Sequence, residues 1–296
     1  MPSFRNAKKQ AAYAVKTKLG IGIARHSREN DLKIHSLGTA RNYEQALIRL
    51  TRWLQANHLG DLKTLTAETA RAYLELRAQS VKQKMLDQER QAVQLHLNLK
   101  LPVIKSELSE ALQSRAYSIE QINLISNAQT PKNRLATQIA HAAGLRAHEL
   151  LTLRRKEERS ASTHRQWLGH RFIERVGEIY TVVGKGGLIR EALIPSSLAQ
   201  QLEACRLRTP ITVKDRQIHY QSYYSISSGK AWSNSFSAAS KRVLGWSHGA
   251  HGLRHTFAQT RMQELQQRGR LYQAALEIVS QLLGHFRPDI TEVYLR

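Results

Sequence analysis

The sequence predicts a mainly α-helical protein with a small antiparallel β-sheet, divided into two globular domains. Three observations lead to this fold class. The chain has 296 residues, and domains of about 100 to 200 residues imply two of them. Apolar residues recur at helical spacing in most of the chain. Around "GKGG", by contrast, β-branched residues alternate with other residues, as they do in β-strands. Apolar residues at 41% and charged residues at 23% are ordinary for a folded protein.

Composition and helix-breaking residues divide the chain into four segments. We expect a basic N-terminal arm at residues 1–35, a helical domain at 36–105, a linker at 106–115 and the second domain at 116–296. The first 28 residues contain no acidic residue, which fits a DNA-contacting arm or an organellar transit peptide.

The first domain is predicted to contain three helices. In the first helix, Thr39 is a candidate N-cap. Apolar residues then follow at spacings of three or four: Tyr43, Leu47, Leu50 and Leu54. Thr66 is the candidate cap of a second helix that continues to Leu76. The third helix runs from about Val81 to Leu99.

The second domain mixes helices with a β-hairpin. Ser118 is a candidate cap for its first helix, and alanine and leucine favour helix on both sides of Gly144. "EIYTVVGKGGLIREALIP" predicts two strands joined by a tight glycine-rich turn. From Asn234 onward the pattern is helical again.

Charge is the unusual property of this composition. The 45 lysines and arginines exceed the 23 acidic residues, which gives a formal net charge of +22 at pH 7. A protein with this excess attracts polyanions, because neutralising phosphates releases their condensed counterions. We therefore expect a nucleic acid as the partner; a merely basic, soluble protein is the alternative.

Cysteine content and apolar runs bear on the compartment. The single cysteine, Cys205, excludes an internal disulfide framework and a cysteine-rich zinc site. No apolar run approaches the roughly 20 residues that cross a bilayer, and the N-terminus lacks the apolar core of a secretory signal. We therefore predict an intracellular protein with no membrane partner.

Four short stretches of the second domain contain residues that could carry chemistry. The first, "AGLRAHELLTL", places Arg146 after a Gly-Leu break and Glu149 one turn later as a partner for an arginine. The second, "VGKGGLIR", places Lys185 at a hairpin tip, from which it can reach a phosphate or a DNA groove. A nucleotide-binding P-loop is excluded there, because the glycines lie between strands and lack the following hydroxyl residue.

The third and fourth stretches add histidines and a tyrosine. "HGLRHTFAQTRM" places His251 and Arg254 on one face of a helix. The spacing of His251 and His255 suits a metal, but the glutamate of a zinc-protease helix is missing, and a polar helical face is the alternative. "LLGHFRPDITEVYLR" contains His285 and, nine residues later, Tyr294. Each stretch alone also fits an ordinary structural role.

The order of these residues resembles the tyrosine recombinase and phage integrase family. The resemblance rests on "GLRAHEL", a lysine in a β-hairpin, "HGLRHTFA", and "LGH" followed nine residues later by tyrosine. "SLGTARNYEQALIRLTRWL" is similar to the start of the family's core-binding domain, so the resemblance covers about residues 36–295. It implies a helical core-binding (SAM-like) DNA domain at 36–105 and an α+β tyrosine recombinase catalytic domain at 116–296.

The resemblance implies a site-specific DNA recombinase, or integrase, that cleaves and rejoins DNA through a 3′-phosphotyrosyl intermediate. Tyr294 is then the nucleophile and His251 its base. Arg146 and Arg254 stabilise charge on the non-bridging oxygens of the phosphate, because guanidiniums are permanently charged, bidentate donors. His285 is a further hydrogen-bond donor.

Lys185 completes the implied catalytic set as the acid that protonates the leaving 5′-oxygen. It follows Arg146 by 39 residues, which is longer than the family commonly shows, and the surplus is the charged loop "RRKEERSASTHRQWLGHR" at 154–171. This loop adds candidate DNA contacts. The resemblance implies no cofactor and no metal, because the phosphotyrosyl bond conserves the energy of the broken linkage.

The implied partners are double-stranded DNA and three further copies of the chain, in a homo-tetramer on two DNA sites. The resemblance also implies accessory DNA-bending or directionality proteins and the integration or excision of a mobile element. It further implies a cytoplasmic, nucleoid-associated location in a bacterium. A type IB topoisomerase-like enzyme and a catalytically silent DNA-binding regulator of the same fold are the alternatives. Only Leu295 and Arg296 follow the nucleophile, so a short natural chain, a trimmed tail or another tetramer-forming surface is expected.

A second Leu-Gly-His stretch is similar to the motif that contains His285 and Tyr294. "WLGHRFIERVGEIY" contains His170 and, ten residues later, Tyr180. It precedes "HGLRHTFA", and its tyrosine lies in the predicted strand before Lys185. We therefore predict a structural role for both residues.

Overall fold

The computed structural model of the chain describes residues 6–21, 33–109 and 114–296. The chain divides into two units, Met1–Ala111 and Leu112–Arg296. The first is helical, and the second combines helices with two small antiparallel sheets. The predicted fold class is thus confirmed. In the part of the chain that is described, each helix is too short or too polar to traverse a bilayer.

The helices described in the first unit are α1 (Ala7–Lys16), α2 (Leu37–Ala56), α3 (Ala67–Ala78) and α4 (Gln83–Leu97). Thr66 caps α3 as predicted, since its hydroxyl accepts a hydrogen bond from Thr69 N at 3.2 Å. The prediction of Thr39 as the cap of α2 is wrong. Ser36 Oγ accepts from Thr39 N at 3.1 Å, because the helix begins earlier and Thr39 lies inside its first turn.

Helix α1 lies in the segment that the sequence analysis assigned to a basic arm, and it was not predicted. It packs against α2, and the buried Gln10 side chain accepts a hydrogen bond from Leu62 N at 3.1 Å. Its buried face consists largely of Ala11, Ala14 and Val15, which give little apolar contrast along the sequence. The other residues of the predicted arm include 1–5 and 22–32, which lie outside the described residues.

A buried carboxylate on α4 joins the helices of the first unit. Glu89 is fully buried and its two oxygens accept hydrogen bonds from three side chains. Arg77 donates twice, from Nε at 2.9 Å and from Nη2 at 3.1 Å. Arg49 Nε donates at 3.0 Å and the hydroxyl of Tyr73 at 3.2 Å. These bonds connect α2, α3 and α4 at one point.

The helices of the second unit carry its core. They are α5 (Ile119–Asn127), α6 (Pro131–Ala142), α7 (Ser196–Ala204), α8 (Gly229–Leu244), α9 (Gly252–Gln267), α10 (Tyr272–Leu283) and α11 (Pro288–Glu292). Ser118 caps α5 as predicted, in a reciprocal capping box with Gln121. The predicted helix after Gly144 is replaced by a short 3₁₀ turn, Glu149–Thr152, because the Glu149 side chain bonds back to the backbone N–H of Arg146.

Two antiparallel sheets complete the second unit. Strands β1 (Arg154–Arg155), β2 (Glu178–Val183) and β3 (Ile189–Ile194) pair in that order, and β2–β3 is the predicted hairpin. Strands β4 (Arg206–Asp215) and β5 (Ile218–Tyr224) form a second hairpin, which was not predicted. Most residues of β4 are at least partly exposed on both faces, so its sequence lacks the apolar alternation of a half-buried strand.

Replacing Glu89 by glutamine should lower the free energy of unfolding of the first unit by about 3–5 kcal/mol, because two arginines lose their buried counter-ion. Urea denaturation followed by circular dichroism measures the change. Glu75→Gln is the matched control: Glu75 pairs with Arg71 on the exposed face of α3, where the loss should stay below about 1 kcal/mol. Equal losses in both variants would contradict the role given to Glu89.

Candidate active site

Four segments of the second unit, distant in sequence, bring candidate catalytic residues together. Arg146 follows the turn after α6, and His251 and Arg254 lie at the start of α9. His285 follows α10, and Tyr294 follows α11. These five of the six residues selected from the sequence lie in one site.

Glycines allow the close approach of these segments at two points. Gly144 has φ +59°, and a Cβ atom there would lie 2.6 Å from the Phe257 ring of α9. A side chain would therefore push the turn that carries Arg146 away from α9. Gly284 ends α10 in the left-handed conformation, with φ +72°, and the following His285 N donates to a carbonyl of the helix end.

The carboxylate of Glu149 contacts the arginine side chains of the site. This fully buried carboxylate accepts from Arg146 Nη1 at 2.7 Å and from Arg190 Nη2 at 2.8 Å. Arg254 Nη1 lies 3.8 Å from the same carboxylate. Burial by itself would raise the pKa of Glu149, but the guanidiniums, that of Arg190 foremost, hold the pKa well below its usual range. The carboxylate is ionised at neutral pH and offsets part of the positive charge.

Arg190 on β3 and Arg254 on α9 tie two loops of the site together. Both guanidiniums donate to the carbonyl oxygen of Gly144, that of Arg190 at 3.3 Å. Arg190 Nη1 also donates to Leu282 O at 2.8 Å, and Arg254 Nη2 donates to Leu283 O at 3.0 Å. These bonds hold the end of α10 next to the turn that follows α6.

Arg146 and Arg254 differ in their access to solvent. The side chain of Arg146 is 21% exposed, whereas that of Arg254 is fully buried. Burial, followed by the charge of Arg146, lowers the pKa of Arg254 to about 9, which still leaves its guanidinium charged at neutral pH. An anion from solvent would therefore meet Arg146 first.

His285 lies between the two guanidiniums. Its Nε2 is 3.2 Å from Arg146 Nη2 and 3.5 Å from Arg254 Nη2, and its Nδ1 is 3.1 Å from Thr291 Oγ1. Because guanidinium nitrogens only donate, Nε2 accepts, and Nδ1 carries the ring proton that is donated to Thr291. Burial, followed by the charges of Arg254 and Arg146, lowers the pKa of His285 to about 3. The imidazole is neutral at pH 7.

The ring of Tyr294 is surrounded by imidazoles and a guanidinium. Its centroid lies 5.4 Å from that of His251, 4.7 Å from that of His255 and 5.1 Å from that of His285. Arg254 Cζ lies 5.6 Å from the tyrosine ring centroid, within the range of a cation–π contact. The tyrosine is 9% exposed. Its ring therefore covers the buried guanidinium.

His251 and His255 are two neutral imidazoles beside this tyrosine. Partial desolvation, followed by the charge of Arg254, lowers the pKa of His251 to about 4. Burial, followed by the charge of Arg115, lowers the pKa of His255 to about 4 as well. His251 is exposed and His255 is buried, so solvent reaches His251 of the two. Each ring is neutral at pH 7 and has one nitrogen lone pair that can accept a hydrogen bond.

Lys185, the sixth selected residue, begins the 3₁₀ turn Lys185–Gly187 that joins β2 to β3. Its side chain lies outside the described part of the structure. The preceding residue approaches the site, since a Cβ atom on Gly184 would lie 3.5 Å from Glu149 Oε1 and 3.9 Å from Arg146 Nη1. The base of the turn is thus in van der Waals reach of the Arg146–Glu149 pair.

Sequence reasoning missed Arg190 and Thr291. Arg190 lies on the buried face of β3 with Ala192 and Ile194, and a lone cation on an apolar face requires a buried anion. That signal could have revealed Arg190. Thr291 bonds to His285 only because α11 turns back on α10, and nothing in its sequence context indicates this contact.

The remaining expectations for histidine and tyrosine concern structural roles and metal binding. Tyr180 is buried in β2, and its hydroxyl donates to Glu203 Oε1 at 2.8 Å, as the structural interpretation predicts. His170, the other residue of that stretch, is exposed. Within residues 6–21, 33–109 and 114–296, no group of three His, Cys, Asp or Glu side chains is placed to hold a metal ion.

Several solved structures share this fold. XerH site-specific recombinase, bound to palindromic difH substrate in a post-cleavage complex, matches with a TM-score of 0.59 and 14% identity over 100% of this chain and 94% of that chain. A lambda integrase tetramer bound to a Holliday junction matches with a TM-score of 0.54 and 16% identity over 96% and 80%. The Tn1549 transposon integrase, in complex with transposon right end DNA, matches with a TM-score of 0.53 and 11% identity over 98% and 95%.

Sequence comparison adds nothing to these matches, since no family model and no curated protein matches the chain. At identities of 11–16% the likeness is one of fold. It extends over nearly the whole chain and agrees with the fold class predicted from the sequence.

The free energy of unfolding should fall as the pH is lowered from 7 toward 4. Histidines of an unfolded chain protonate near pH 6.5, whereas His251, His255 and His285 stay neutral in the folded protein down to about pH 3 or 4. The unfolded state then binds more protons in this window, so lowering the pH favours unfolding. The lowered pKa of Glu149 also makes the free energy of unfolding fall with pH, but only below pH 4.5, the ordinary pKa of a glutamate.

Urea denaturation at pH 7, 6 and 5 tests this expectation. His285→Gln should weaken the pH dependence, because the replaced ring no longer titrates in the unfolded chain. His219→Gln, at an exposed position of β5, is the matched control and should keep the wild-type dependence. A His285→Gln variant with the full wild-type dependence would show that His285 is not held neutral.

Proposed function

We propose that this chain, which has the tyrosine recombinase fold, is a site-specific DNA recombinase that cleaves and rejoins DNA through a 3′-phosphotyrosyl intermediate. One observation carries the proposal: Arg254, His251 and His285 converge on the ring of Tyr294. A positively charged site beside a tyrosine suits attack on a phosphodiester. The solved proteins of similar fold are recombinases and integrases bound to DNA, which supports DNA as the substrate.

In this proposal Arg146 and Arg254 bind the non-bridging oxygens of the scissile phosphate. These oxygens gain negative charge when phosphorus is attacked, and guanidinium donors stabilise that charge. Arg146 is partly exposed and meets the phosphate first, whereas Arg254 becomes available when the ring of Tyr294 moves aside. His285 Nε2 accepts in the free protein; a bound phosphate raises its pKa, and the protonated ring then donates.

Tyr294 is the proposed nucleophile and His251 its base. A phenol has an ordinary pKa near 10 and needs a base or a positive field to attack at neutral pH. His251 is neutral, open to solvent and 5.4 Å from the tyrosine ring, measured between centroids. The phenol oxygen forms a bond to phosphorus, the bond from phosphorus to the 5′-oxygen breaks, and the phenol proton passes to His251.

Lys185 is the proposed acid that protonates the leaving 5′-oxygen. This role rests on the family resemblance and on the position of Gly184, the residue before the turn, beside Arg146 and Glu149. An ammonium in a positive site gives up its proton more easily than in water, because the neighbouring cations disfavour its charge. Rejoining reverses these steps and needs no cofactor.

The first unit is the proposed core-binding domain. A groove of about 1040 Å³ lies between α2 and α4 and is lined by lysines and amide side chains. They include Lys33, Lys84, Lys100, Asn42, Gln88 and Gln91. Lysines attract phosphates, and amides can hydrogen-bond to base edges. Together with the net charge of +22, this lining supports double-stranded DNA as the partner.

The proposal extends to assembly and biological context. We infer a homo-tetramer on two DNA sites, supported by the lambda integrase tetramer of similar fold on a Holliday junction. Integration or excision of a mobile element is supported by the similar Tn1549 integrase on transposon right end DNA. The same proposal includes accessory DNA-bending or directionality proteins and a cytoplasmic, nucleoid-associated location in a bacterium.

A library of nicked DNA duplexes with a randomised core tests the chemistry, because a nick traps the covalent intermediate. Wild-type protein should form protein–DNA adducts that survive denaturation. The DNA recovered from these adducts should share one core sequence. Tyr294→Phe should form none, since the attacking oxygen is absent. Tyr180→Phe is the matched control: it removes a buried hydroxyl at a modest loss of about 1 kcal/mol and should still form adducts.

Two outcomes would contradict the proposal. Sequence-specific binding without any adduct would fit a catalytically silent regulator of the same fold. Relaxation of a supercoiled plasmid with no sequence preference would instead fit a type IB topoisomerase-like enzyme.

A further inference from the structure

The charged loop between β1 and β2 is built into the second unit at both ends. We name residues 159–171 the strap. Arg159 donates to Thr181 O of β2 at 2.8 Å and to its hydroxyl at 3.1 Å. At the other end, the buried Arg171 pairs with Glu191 of β3 and donates to Leu168 O at 2.7 Å. The two ends of the strap are therefore fixed to the β1–β2–β3 sheet.

The strap touches the hairpin that carries Lys185. Ser162 N donates to Ile189 O at 3.0 Å, and Ile189 N donates to Ser162 Oγ at 3.0 Å. Ile189 is the first residue of β3 and follows the turn after Leu188. These reciprocal bonds fix the strap to the base of that turn.

The strap also touches the end of α10. Leu168 N donates to Gln281 Oε1 at 2.7 Å, and Gln281 Nε2 donates to Gln166 O at 3.4 Å. Gln281 is buried, 6% exposed, so both ends of its amide are satisfied by strap backbone. The strap thus spans from the Lys185 hairpin to the helix that precedes His285.

The strap also contacts Phe286, the residue after His285. The ring of Trp167 meets the Phe286 ring edge-on with centroids 4.6 Å apart, and Arg165 Cζ lies 5.3 Å from the same ring. Trp167 is itself held, since its Nε1 donates to Ser162 O at 2.9 Å and Arg171 stacks on its ring. The indole is a fixed surface for Phe286.

Phe286 needs such a support because its backbone is in the left-handed region, with φ +56°. This conformation is strained for a residue with a large side chain, by roughly 1–3 kcal/mol, and persists only where the surroundings impose it. It sets the direction in which the chain leaves Phe286 toward α11, and Thr291 of α11 orients His285 through the bond to its Nδ1. Without the Trp167 contact, the turn can relax and move the imidazole.

We propose that Trp167 is a positioning residue, which acts through Phe286 to hold His285 Nε2 against the guanidiniums of Arg146 and Arg254. The strap carries this contact and links the His285 turn to the Lys185 hairpin. The inference rests on the proposed function for its catalytic consequence, whereas the orientation of His285 is a property of the free protein.

Single-turnover cleavage of a nicked duplex carrying the recovered sequence tests the catalytic consequence. Trp167→Ala should slow adduct formation by about 10- to 100-fold, because a displacement of about 1 Å has effects of this size. Its DNA affinity should stay within about threefold of wild type. Trp167→Phe retains an aromatic ring and should restore most of the rate. Leu271→Ala, which removes a large apolar side chain at an exposed position just before α10, is the matched control and should cleave as wild type does.

NMR of the histidine ring N–H protons tests the orientation without DNA. The Nδ1 proton of His285, bonded to Thr291, should give a protected signal in wild type and in Trp167→Phe. Trp167→Ala should lose or broaden that signal. If the wild type forms no adduct, the proposed function fails, and the NMR result alone decides the inference.

Wild-type cleavage and an unchanged His285 signal in a folded Trp167→Ala variant would overturn the proposal. Circular dichroism establishes whether that variant folds. If it does not, Phe286→Leu removes the same ring contact from the other side and should show the same losses. A Phe286→Leu variant that matches wild type in both measurements would overturn the proposal too.

Discussion

The buried carboxylate of Glu149 is the constraint on which the candidate active site depends. The guanidiniums of Arg146, Arg190 and Arg254 lie 2.7, 2.8 and 3.8 Å from it, in a protein interior where like charges repel strongly. In the described residues, neither Arg190 nor Arg254 has another carboxylate within ion-pair distance. The same two arginines hold the turn after α6 and the end of α10, so this one anion also fixes the site's backbone.

Burial and charge balance together explain the protonation states around Tyr294. Desolvation, and then the surplus of positive charge left by one carboxylate among three guanidiniums, hold His285 and His251 neutral. That surplus is what an anionic phosphate would neutralise. In the proposed function, phosphate binding, proton uptake by His285 and movement of the tyrosine ring off Arg254 are therefore coupled events.

The sequence predicts features whose signals are local and misses those that depend on distant partners. Helix caps at Thr66 and Ser118 and the β2–β3 hairpin follow from short patterns, and the structure has them. Three of the four ordered motifs supply the five selected residues that meet in space. Helix α1 packs largely through alanines, and strand β4 is at least partly exposed on both faces, so neither shows apolar periodicity. Arg190 has meaning only beside Glu149, which precedes it by 41 residues.

A double-mutant cycle on Glu149 and Arg190 tests the central claim most directly. Glu149→Gln should lower the free energy of unfolding by about 3–5 kcal/mol, because it leaves buried guanidiniums without their counter-ion. Arg190→Met should lower it as well, because buried Glu149 Oε2 and Leu282 O lose their donor. The double variant removes both partners of the pair, so its loss should fall short of the sum by about 2 kcal/mol or more. Losses that add to within about 0.5 kcal/mol would mean that the two groups act independently, and would contradict the account.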